Sequence, residues 1–470
     1  MSKKSIFSFF ICFFIGLAIW FSPIPEGVTK QAWHLLSIFI FTILGIIAKP
    51  LPMGAMALVG LMLTVLTKTL TFPEAFSGFQ NDIVWLVAFA FFISRGIIQT
   101  GLGARVAYHL MSLLGRNSIG LGYGLAMTDL VLAPMIPSVT ARAGGVIFPI
   151  LKSISKAFDS EPHKGPKRIG AYLTQTAFQS TCITSAMFLT AMAGNPFIAE
   201  IVARNGVAIT WGKWALAAIV PGILNLLVLP YFLYKIYPPE IKETPDAPKI
   251  AHKHLAEMGK LCAKEWIMIG VFVLLITLWI LGPSIGLNAA TAALFGLVIL
   301  LLTKVLSWSD ILKEDGGWDT LIWFSTLVMM AAALSKLGLV QWFSTWTISH
   351  VQQLNLTGWG LGFVLLALIY FYTHYFFASN VAQIGAMYPP FFLLALSFGT
   401  PPLIAALVLA FFSNLFGGLT HYGCGPAPVL FGAGYVKITE WWRLGFIVSV
   451  LNILIWLSVG AIWWKLIGLY

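Results

Sequence analysis

Long apolar runs with almost no charge recur along this chain, and they restrict its fold more than any other feature. Runs such as Trp33–Ala48, Trp211–Tyr237 and Leu444–Trp463 approach or exceed the roughly 20 residues that an α-helix needs to cross a bilayer. Backbone groups in lipid must be hydrogen-bonded within the spanning segment, which a helix achieves by itself. The sequence therefore predicts an all-α polytopic membrane protein with about 11 transmembrane helices.

The composition agrees with this class. Hydrophobic residues make up 59% of the 470 positions and charged residues 10%, against about 25% in soluble domains. The net charge of +11 comes from short basic clusters between apolar runs, as the positive-inside rule expects of cytoplasmic loops. We therefore expect membrane lipid, and no nucleic acid, as a partner. The four cysteines are scattered, without metal-ligand spacing or a disulfide framework.

The first apolar run, Ser5–Phe21, follows two lysines and ends before Pro23. It looks like a signal peptide but has no clear cleavage site of small residues. We expect it to be retained as the first span, with its N-terminus in the cytoplasm, in a multi-pass protein of a bacterial inner membrane.

Two apolar segments are interrupted by small and polar residues at corresponding places. In Pro137–Gly145 and in Ala378–Ala386, a serine is followed by alanine three residues later and by glycine six residues later. Such backbone is tolerated at membrane depth only where it lines a cavity. We therefore predict two re-entrant hairpins, at about 121–151 and about 358–398, whose tips mark the binding site of a transporter.

These stretches belong to a longer internal repeat. Asp82 and Asp319 both open a span, Ser138 matches Ser379, and the landmarks recur in the same order at a nearly constant offset. The most hydrophilic part of the chain separates the two copies. We therefore expect an N-terminal half at 1–237, a hydrophilic linker at 238–265 and a C-terminal half at 266–470. An odd number of crossings between the halves would invert one repeat relative to the other.

Polar side chains at the two tips are candidate substrate ligands. Helix N-termini carry free N–H groups and the positive end of the helix dipole, so a hairpin tip attracts anions. Ser138, Thr140, Ser379 and Asn380 add side-chain donors, and two facing tips suit a ligand with an anionic group at each end. Small polar residues at a single tip would be explained by close helix packing. The matched pair favours a binding site.

Arg142 and His374 are the candidate positive charges. An arginine at the membrane centre costs at least about 2.5–3.5 kcal/mol, so Arg142 should pair with a substrate carboxylate or with an acidic side chain such as Asp129. Apolar residues on both sides of Arg142 disfavour the alternative, in which it snorkels to the interface. His374 lies among aromatic residues, where a packed, hydrogen-bonded histidine fits the sequence as well as a functional one.

Two further segments, Asn195-Pro196 and Gly425-Pro426, have the composition of unwound helix, which can turn freed backbone groups toward a ligand. Cys424 belongs to the second of these segments. The sequence contains no Gly-x-Ser-x-Gly, no His-Glu-x-x-His and no phosphate-binding loop, and the acids near the spans are too spread for a paired-carboxylate site. We therefore predict no catalytic residues, no metal site and no cofactor.

The motifs around these residues resemble the divalent anion/sodium symporter family. In detail they look like its exchanger branch of bacterial citrate/succinate and tartrate/succinate antiporters and plastid 2-oxoglutarate/malate translocators. The resemblance is carried by Pro137–Gly145, Met187–Pro196, Thr373–Ser379, Tyr422–Pro428 and Gly432–Tyr435. It implies two inverted repeats, a homodimer, and in each protomer a scaffold and an elevator transport domain that carries a di- or tricarboxylate.

The sequence departs from that of the sodium-coupled relatives at positions that help to hold sodium. Both tips of those relatives read Ser-Asn-Thr, whereas here Val139 replaces the first Asn and Val381 the second Thr, and Cys424 stands where a Thr is common. Arg142 and His374 look like the exchanger branch, in which fixed positive groups could take over the charge of bound sodium. The resemblance therefore implies sodium-free exchange of C4/C5 dicarboxylates, such as 2-oxoglutarate for malate or succinate.

Three other functions stay open at this point. A sodium-coupled di- or tricarboxylate symporter would bind sodium as its coupling ion. An intramembrane enzyme would use His374 or Cys424 as nucleophile or base, although no acid–base partner lies in the same motifs. A channel would need an open pore, whereas paired broken hairpins suit an occluded site. The sequence does not rank citrate, tartrate, malate and 2-oxoglutarate.

Overall fold

A computed structural model describes residues 3–339, 341–343, 345 and 359–470 of the chain. Residue 358, where the second hairpin is predicted to start, lies outside these ranges. The described parts are helices, turns and loops, with two isolated β-bridges and no strand. The α-helices used below are α1 (Lys3–Phe21), α2 (Lys30–Ala48), α3 (Met53–Leu66), α4 (Phe72–Ala75), α5 (Asp82–Thr100), α6 (Leu102–Leu114), α7 (Ser118–Leu132), α8 (Val139–Arg142), α9 (Phe148–Ala157), α10 (Gly170–Met187), α11 (Gly194–Ala203), α12 (Trp211–Ile236), α13 (Ala247–Met258), α14 (Ala263–Leu281), α15 (Ala289–Leu302), α16 (Trp308–Leu312), α17 (Asp315–Lys336), α18 (Trp359–Tyr372), α19 (Asn380–Ser397), α20 (Pro402–Leu415), α21 (Pro426–Gly432) and α22 (Ile438–Leu466).

Many of these helices are apolar over a length that suits a bilayer. Within the described residues, seven are long and apolar enough to cross a membrane, namely Lys30–Ala48, Asp82–Thr100, Trp211–Ile236, Ala263–Ile285, Asp315–Lys336, Trp359–Phe376 and Ile438–Leu466. Five shorter apolar helices accompany them, between Ser5–Phe21 near the N-terminus and Pro402–Gly418 near the C-terminus. The predicted all-α polytopic membrane fold is confirmed.

Both predicted tips are interruptions between two helices. The first follows α7 at residues 133–138, where two prolines lack the backbone N–H that a continuing helix needs. α8 then runs through a π-helical turn, Ala143–Ile147, into α9, so that residues 139–157 form one helical arm. The second lies between α18 and α19 and contains a 3₁₀ turn at Thr373–Phe376. Both breaks fall where the sequence predicts them, and re-entry into the membrane stays a prediction.

Two more interruptions lie farther along each half, at residues 188–193 between α10 and α11 and at residues 416–425 between α20 and α21. α10 packs against α20, α11 packs against α19 and α20, and α21 contacts α8. α17 packs against both α3 and α5. This packing brings the four interruptions close together, beside the layer that is formed by α3, α5 and α17.

The hydrophilic segment at 238–265 is ordered against the N-terminal half. It contains α13, which packs on α6, with the ring of His254 stacked on that of Tyr108 at 4.7 Å between centroids. The buried guanidinium of Arg105 donates to Glu265 at 2.6 Å and to Gly259 O at 2.8 Å. These contacts attach the segment to α6, and its role as the boundary between two halves stays a prediction.

Candidate functional site

A cavity of about 280 Å³ lies where the four interruptions meet α3, α5 and α17. It is near the lower end of the range for small-molecule sites, about 300–1,000 Å³, so its size suits a small metabolite. Residues from both tips line it, together with residues of the interruptions at 188–193 and 416–425. The predicted site residues on its wall are Ser138, Val139, Thr140, Ser379, Asn380, Val381, Cys424 and Gly425.

Ser138 and Ser379 occupy equivalent positions at the two tips, because each is the N-cap of the second helical arm. The Ser138 hydroxyl accepts a hydrogen bond from Ala141 N at 3.1 Å, and the Ser379 hydroxyl accepts one from Ala382 N at 3.4 Å. A hydroxyl that accepts from the backbone keeps its own proton for another acceptor. Each tip can therefore offer an O–H donor beside a positive helix end.

Thr140 at the first tip and Gly425 in the last interruption approach each other closely. A Cβ atom on Gly425 would lie 2.0 Å from Thr140 Oγ1, a distance that real atoms do not adopt. A larger residue at position 425 would therefore require the Thr140 side chain to move. The contact joins the first tip to the interruption that precedes α21, and both residues lie on the cavity wall.

Arg142 does not lie on the cavity wall, and its predicted role as a substrate ligand stays a prediction. Its guanidinium is fully buried, and its Nε donates to Asp129 Oδ1 at 2.8 Å. The remaining nitrogens donate to Ile136 O at 2.8 Å, Ala191 O at 3.0 Å and Ser185 Oγ at 2.8 Å. Of the two predicted partners, the acidic side chain is the one that Arg142 contacts. Together, the ion pair and these hydrogen bonds connect α7, the first tip and the interruption at 188–193.

His374 is also absent from the wall and lies fully buried behind the second tip, with its ring stacked on Phe416 at 4.0 Å between centroids. Its Nδ1 is 2.5 Å from Gln383 Oε1, and its Nε2 is 3.0 Å from Gly423 O. Because Gln383 Nε2 donates to Tyr370 O at 2.8 Å, the amide oxygen must face the ring. A neutral imidazole, with one N–H, satisfies only one of these two oxygens, whereas an imidazolium satisfies both.

Asn195 and Pro196 lie in the first turn of α11 and Pro426 begins α21, so each follows an interruption and is helical, whereas the sequence predicts unwound backbone there. Their side chains are buried away from the cavity wall. Asn195 Nδ2 donates to Ser185 O at 2.8 Å, and Asn195 Oδ1 accepts from Asn414 Nδ2 at 2.7 Å. These bonds attach the start of α11 to α10 and α20. Asn195 therefore stabilises the interruption, because its amide group forms hydrogen bonds with protein partners.

The sequence analysis missed the far wall of the cavity and part of the near wall. Met53 of α3, Phe91 of α5 and Trp323 of α17 form the apolar part of the far wall, and Cys182 and Asn414 lie on the near wall. None of these residues carries a local signal in the sequence, since each is an ordinary residue of a long helix. Their apposition depends on how helices distant in the chain pack together.

Asp319 lines the cavity and is placed one turn inside α17, which begins at Asp315, so Asp319 does not open the span as expected. Its Oδ1 accepts from Gly54 N at 3.0 Å, near the N-terminus of α3, where a negative charge is stabilised by the helix dipole. Among the residues that the structure describes, no lysine, arginine or histidine lies on the wall. An anionic ligand would therefore have to be held by backbone and side-chain donors of the tips.

Within the described residues, no group of three or more His, Cys, Asp or Glu side chains is arranged to hold a metal ion.

The sequence model of one protein family, described as "Sodium:sulfate symporter transmembrane region", matches residues 3–470. This chain belongs to that family. The family that its motifs resemble is thereby confirmed, and the chain is a multi-pass membrane protein of a transporter family.

Relatives with known names agree with this assignment along the whole chain. Dicarboxylate transporter 1 of Arabidopsis thaliana chloroplasts is 53% identical over 458 residues, which cover 97% of this chain and 82% of the relative. The putative malate transporter YflS of Bacillus subtilis is 52% identical over 458 residues, covering 97% of this chain and 95% of the relative. Among solved structures, the YdaH transporter of Alcanivorax borkumensis matches 99% of this chain and 97% of its own chain, with a TM-score of 0.57. At 14% sequence identity, this last likeness concerns the fold alone.

Proposed function

We propose that this protein is a secondary transporter that exchanges C4/C5 dicarboxylates, such as 2-oxoglutarate for malate or succinate, across a bacterial inner membrane. The observation that carries the proposal is the cavity between two serine-capped tips. Ser138 and Ser379 each place an O–H donor and a positive helix end at this cavity. Two such anion-attracting ends suit a ligand with a carboxylate at each end. The printed names of the two relatives point to the same class of substrate.

An elevator movement is compatible with the way the cavity is enclosed. One wall comes from α3, α5 and α17, and the other comes from the two tips and the two interruptions. If the second wall moves as a body relative to the first, the bound dicarboxylate moves with it. The first wall would then belong to a scaffold, and we expect this scaffold to form the interface of a homodimer, with one repeat inverted relative to the other.

Of the two predicted positive groups, Arg142 is paired with an acid and His374 has two neutral hydrogen-bond partners. The two partners of His374 are Gln383 Oε1 and Gly423 O. A charge that takes over the role of sodium at this tip would therefore require a proton on His374, whereas the charge of Arg142 is cancelled by Asp129.

A sodium-coupled symporter is the second candidate, and one observation favours it. Asn380 Nδ2 donates to Ser413 O at 2.9 Å and Asn414 Nδ2 donates to Asn195 Oδ1 at 2.7 Å, so that both amide oxygens are directed away from these acceptors. Both oxygens are buried without a hydrogen-bond donor. Oxygen atoms of this kind are the ligands that hard cations prefer.

Transport by the purified protein in proteoliposomes separates the two candidates. Uptake of labelled 2-oxoglutarate should be rapid into vesicles loaded with malate and slow into empty vesicles, at equal rates in sodium and choline buffers. Strong stimulation by sodium, with no need for internal dicarboxylate, would contradict the exchanger and favour the symporter. Absence of uptake under all four conditions, with the protein correctly inserted, would contradict both.

The capping serines test whether the substrate binds between the tips. Replacing Ser138 or Ser379 by alanine should raise the apparent Michaelis constant by about tenfold or more, because a hydrogen bond to a charged group contributes about 1.5–3 kcal/mol. Ser307→Ala is the matched control, since Ser307 caps α16 by accepting from Asp310 N at 3.2 Å and is not on the cavity wall. If the apparent Michaelis constants of all three variants were equal, the dicarboxylate would have to bind elsewhere.

A further inference from the structure

Two of the four cysteines lie side by side on the wall of the cavity. Cys182 is in the middle of α10, and Cys424 is in the interruption before α21, far away in the sequence. Both line the cavity, with exposed fractions of 3% and 8%. The Cys424 thiol donates to Gly417 O at 3.3 Å, and the side chains of Cys182 and Cys424 interact with each other. The sequence, with its scattered cysteines, indicates no such pair.

The remaining two cysteines have different surroundings. Cys12 is buried in α1, and Cys262 is exposed at the start of α14. Neither lines the cavity. The chain therefore has a built-in comparison between one pair of adjacent thiols and two separate thiols.

We propose that Cys182 and Cys424 form a dithiol site for trivalent arsenicals inside the cavity. Sulfur ligands are soft and select soft, thiophilic partners. Two adjacent thiols hold such a partner in a ring, which a single thiol cannot form. A trivalent arsenic atom that carries one organic group has two positions for sulfur and matches this pair.

The reaction is balanced without an oxidant or a reductant. Phenylarsine oxide reacts with both thiols, so that two S–H bonds and the arsenic–oxygen bonds break while two S–As bonds form. The two protons leave with the oxygen as one molecule of water. Arsenic stays trivalent, and neither sulfur is oxidised.

Occupation of this site would interfere with transport. The phenyl group attached to arsenic would have to lie in a cavity of about 280 Å³, where it would exclude a second ligand. The ring would also tie α10 to the interruption before α21, which carries Gly425 on the same wall. We therefore expect mutual exclusion between the arsenical and a dicarboxylate, an expectation that rests on the proposed function.

The direct test measures binding by the intact mass of the purified, folded protein after treatment with phenylarsine oxide. The wild type and the Cys12→Ser and Cys262→Ser variants should each gain one phenylarsenic group, which 2,3-dimercaptopropanol removes and 2-mercaptoethanol does not. Cys182→Ser and Cys424→Ser should retain no adduct. An adduct that persists in either of these variants, or no adduct in the wild type, would overturn the proposal.

A second measurement needs no variant and so does not depend on whether a variant folds. After treatment, the wild-type protein is alkylated with N-ethylmaleimide in denaturant and digested, and the labelled cysteines are identified. Cys182 and Cys424 should be protected while Cys12 and Cys262 are labelled, and labelling of all four would overturn the site. Repeating the treatment with excess 2-oxoglutarate should slow adduct formation at least tenfold. An adduct at the pair that forms equally fast with 2-oxoglutarate would support the dithiol site and contradict the cavity as the dicarboxylate site.

Discussion

The buried ion pair between Arg142 and Asp129 is the contact whose removal should affect folding most. The two side chains are 0% and 1% exposed, and their charged atoms are 2.8 Å apart. Asp129 also accepts a hydrogen bond from the Thr184 hydroxyl, so both of its oxygens are satisfied. We expect Arg142→Met to leave an uncompensated carboxylate, and Asp129→Asn to leave an uncompensated guanidinium, in the same closed space.

The magnitude follows from the burial. Removal of one partner from a buried pair costs about 3–5 kcal/mol, because the charge that remains has lost both its partner and its water. That cost corresponds to a factor of roughly 100–5,000 in the equilibrium between folded and unfolded protein. The Asp129→Asn/Arg142→Met double variant has no buried charge. Its loss of stability should therefore be smaller than the sum of the losses in the two single variants, by about 3–5 kcal/mol.

A double-mutant cycle measures this coupling energy. The free energy of unfolding of the four proteins would be determined in mixed micelles by titration with sodium dodecyl sulfate and followed by the helical circular dichroism signal. The exposed pair Lys249–Asp246 is the control, since its charged atoms are also 2.8 Å apart while its side chains are 79% and 64% exposed. Its coupling should be much smaller than that of the buried pair, because water and salt screen exposed charges. Equal coupling in the two pairs would refute the argument that burial makes the Arg142–Asp129 contact indispensable.

Two further substitutions test the cavity wall and the charge behind it. Gly425→Ala should slow exchange, because its Cβ would lie 2.0 Å from Thr140 Oγ1 and would displace this hydroxyl on the cavity wall. Gly432→Ala, which meets nothing within 4 Å, should exchange like the wild type. Uptake into malate-loaded vesicles measures both, and normal exchange by Gly425→Ala would contradict a role of the Thr140 hydroxyl at this position. His374→Phe keeps the aromatic stacking but removes both ring nitrogens, so it should raise the apparent Michaelis constant at least tenfold, a factor worth about 1.4 kcal/mol. His34→Phe is its control, since the His34 ring stacks on that of Trp20 with 3.6 Å between centroids and does not line the cavity. Equal Michaelis constants in the two variants would show that His374 is only a packing residue.

The helical breaks and their capping serines could be predicted because each leaves a local trace. A serine before a helical run is a common N-cap, and prolines and glycines mark backbone that cannot continue a helix. These features identify Ser138 and Ser379 in the sequence, and both serines lie on the cavity wall in the structure. The apolar far wall could not be predicted, because Met53 and Phe91 differ in no way from lipid-facing residues of the same helices until the helices are packed.

The direction of a side chain at a break is the other property that the sequence leaves open. Asn195 and Asn380 both lie at the start of a helix after an interruption, yet only Asn380 is on the cavity wall. The side chain of Asn195 instead donates to Ser185 O and Phe188 O of the preceding segment. The same ambiguity concerns Arg142, for which the sequence offers a substrate carboxylate and Asp129 as partners. Only the packing of α7 against the first tip decides between them.

The placement of Arg142 changes the explanation of obligatory exchange. A charge that restrains the carrier without substrate must lack a counter-charge until a dianion binds, and Arg142 is paired with Asp129. His374 meets this condition if it is an imidazolium, because both of its hydrogen-bond acceptors are neutral. With the cavity empty, movement of the second tip would carry an uncompensated charge through a region of low dielectric constant, which is costly. A bound dicarboxylate near the second tip would offset that charge, so the loaded form should cross more readily than the empty one. On this argument a protonated His374 would restrain the carrier without substrate, and His374→Phe should weaken the requirement for internal dicarboxylate.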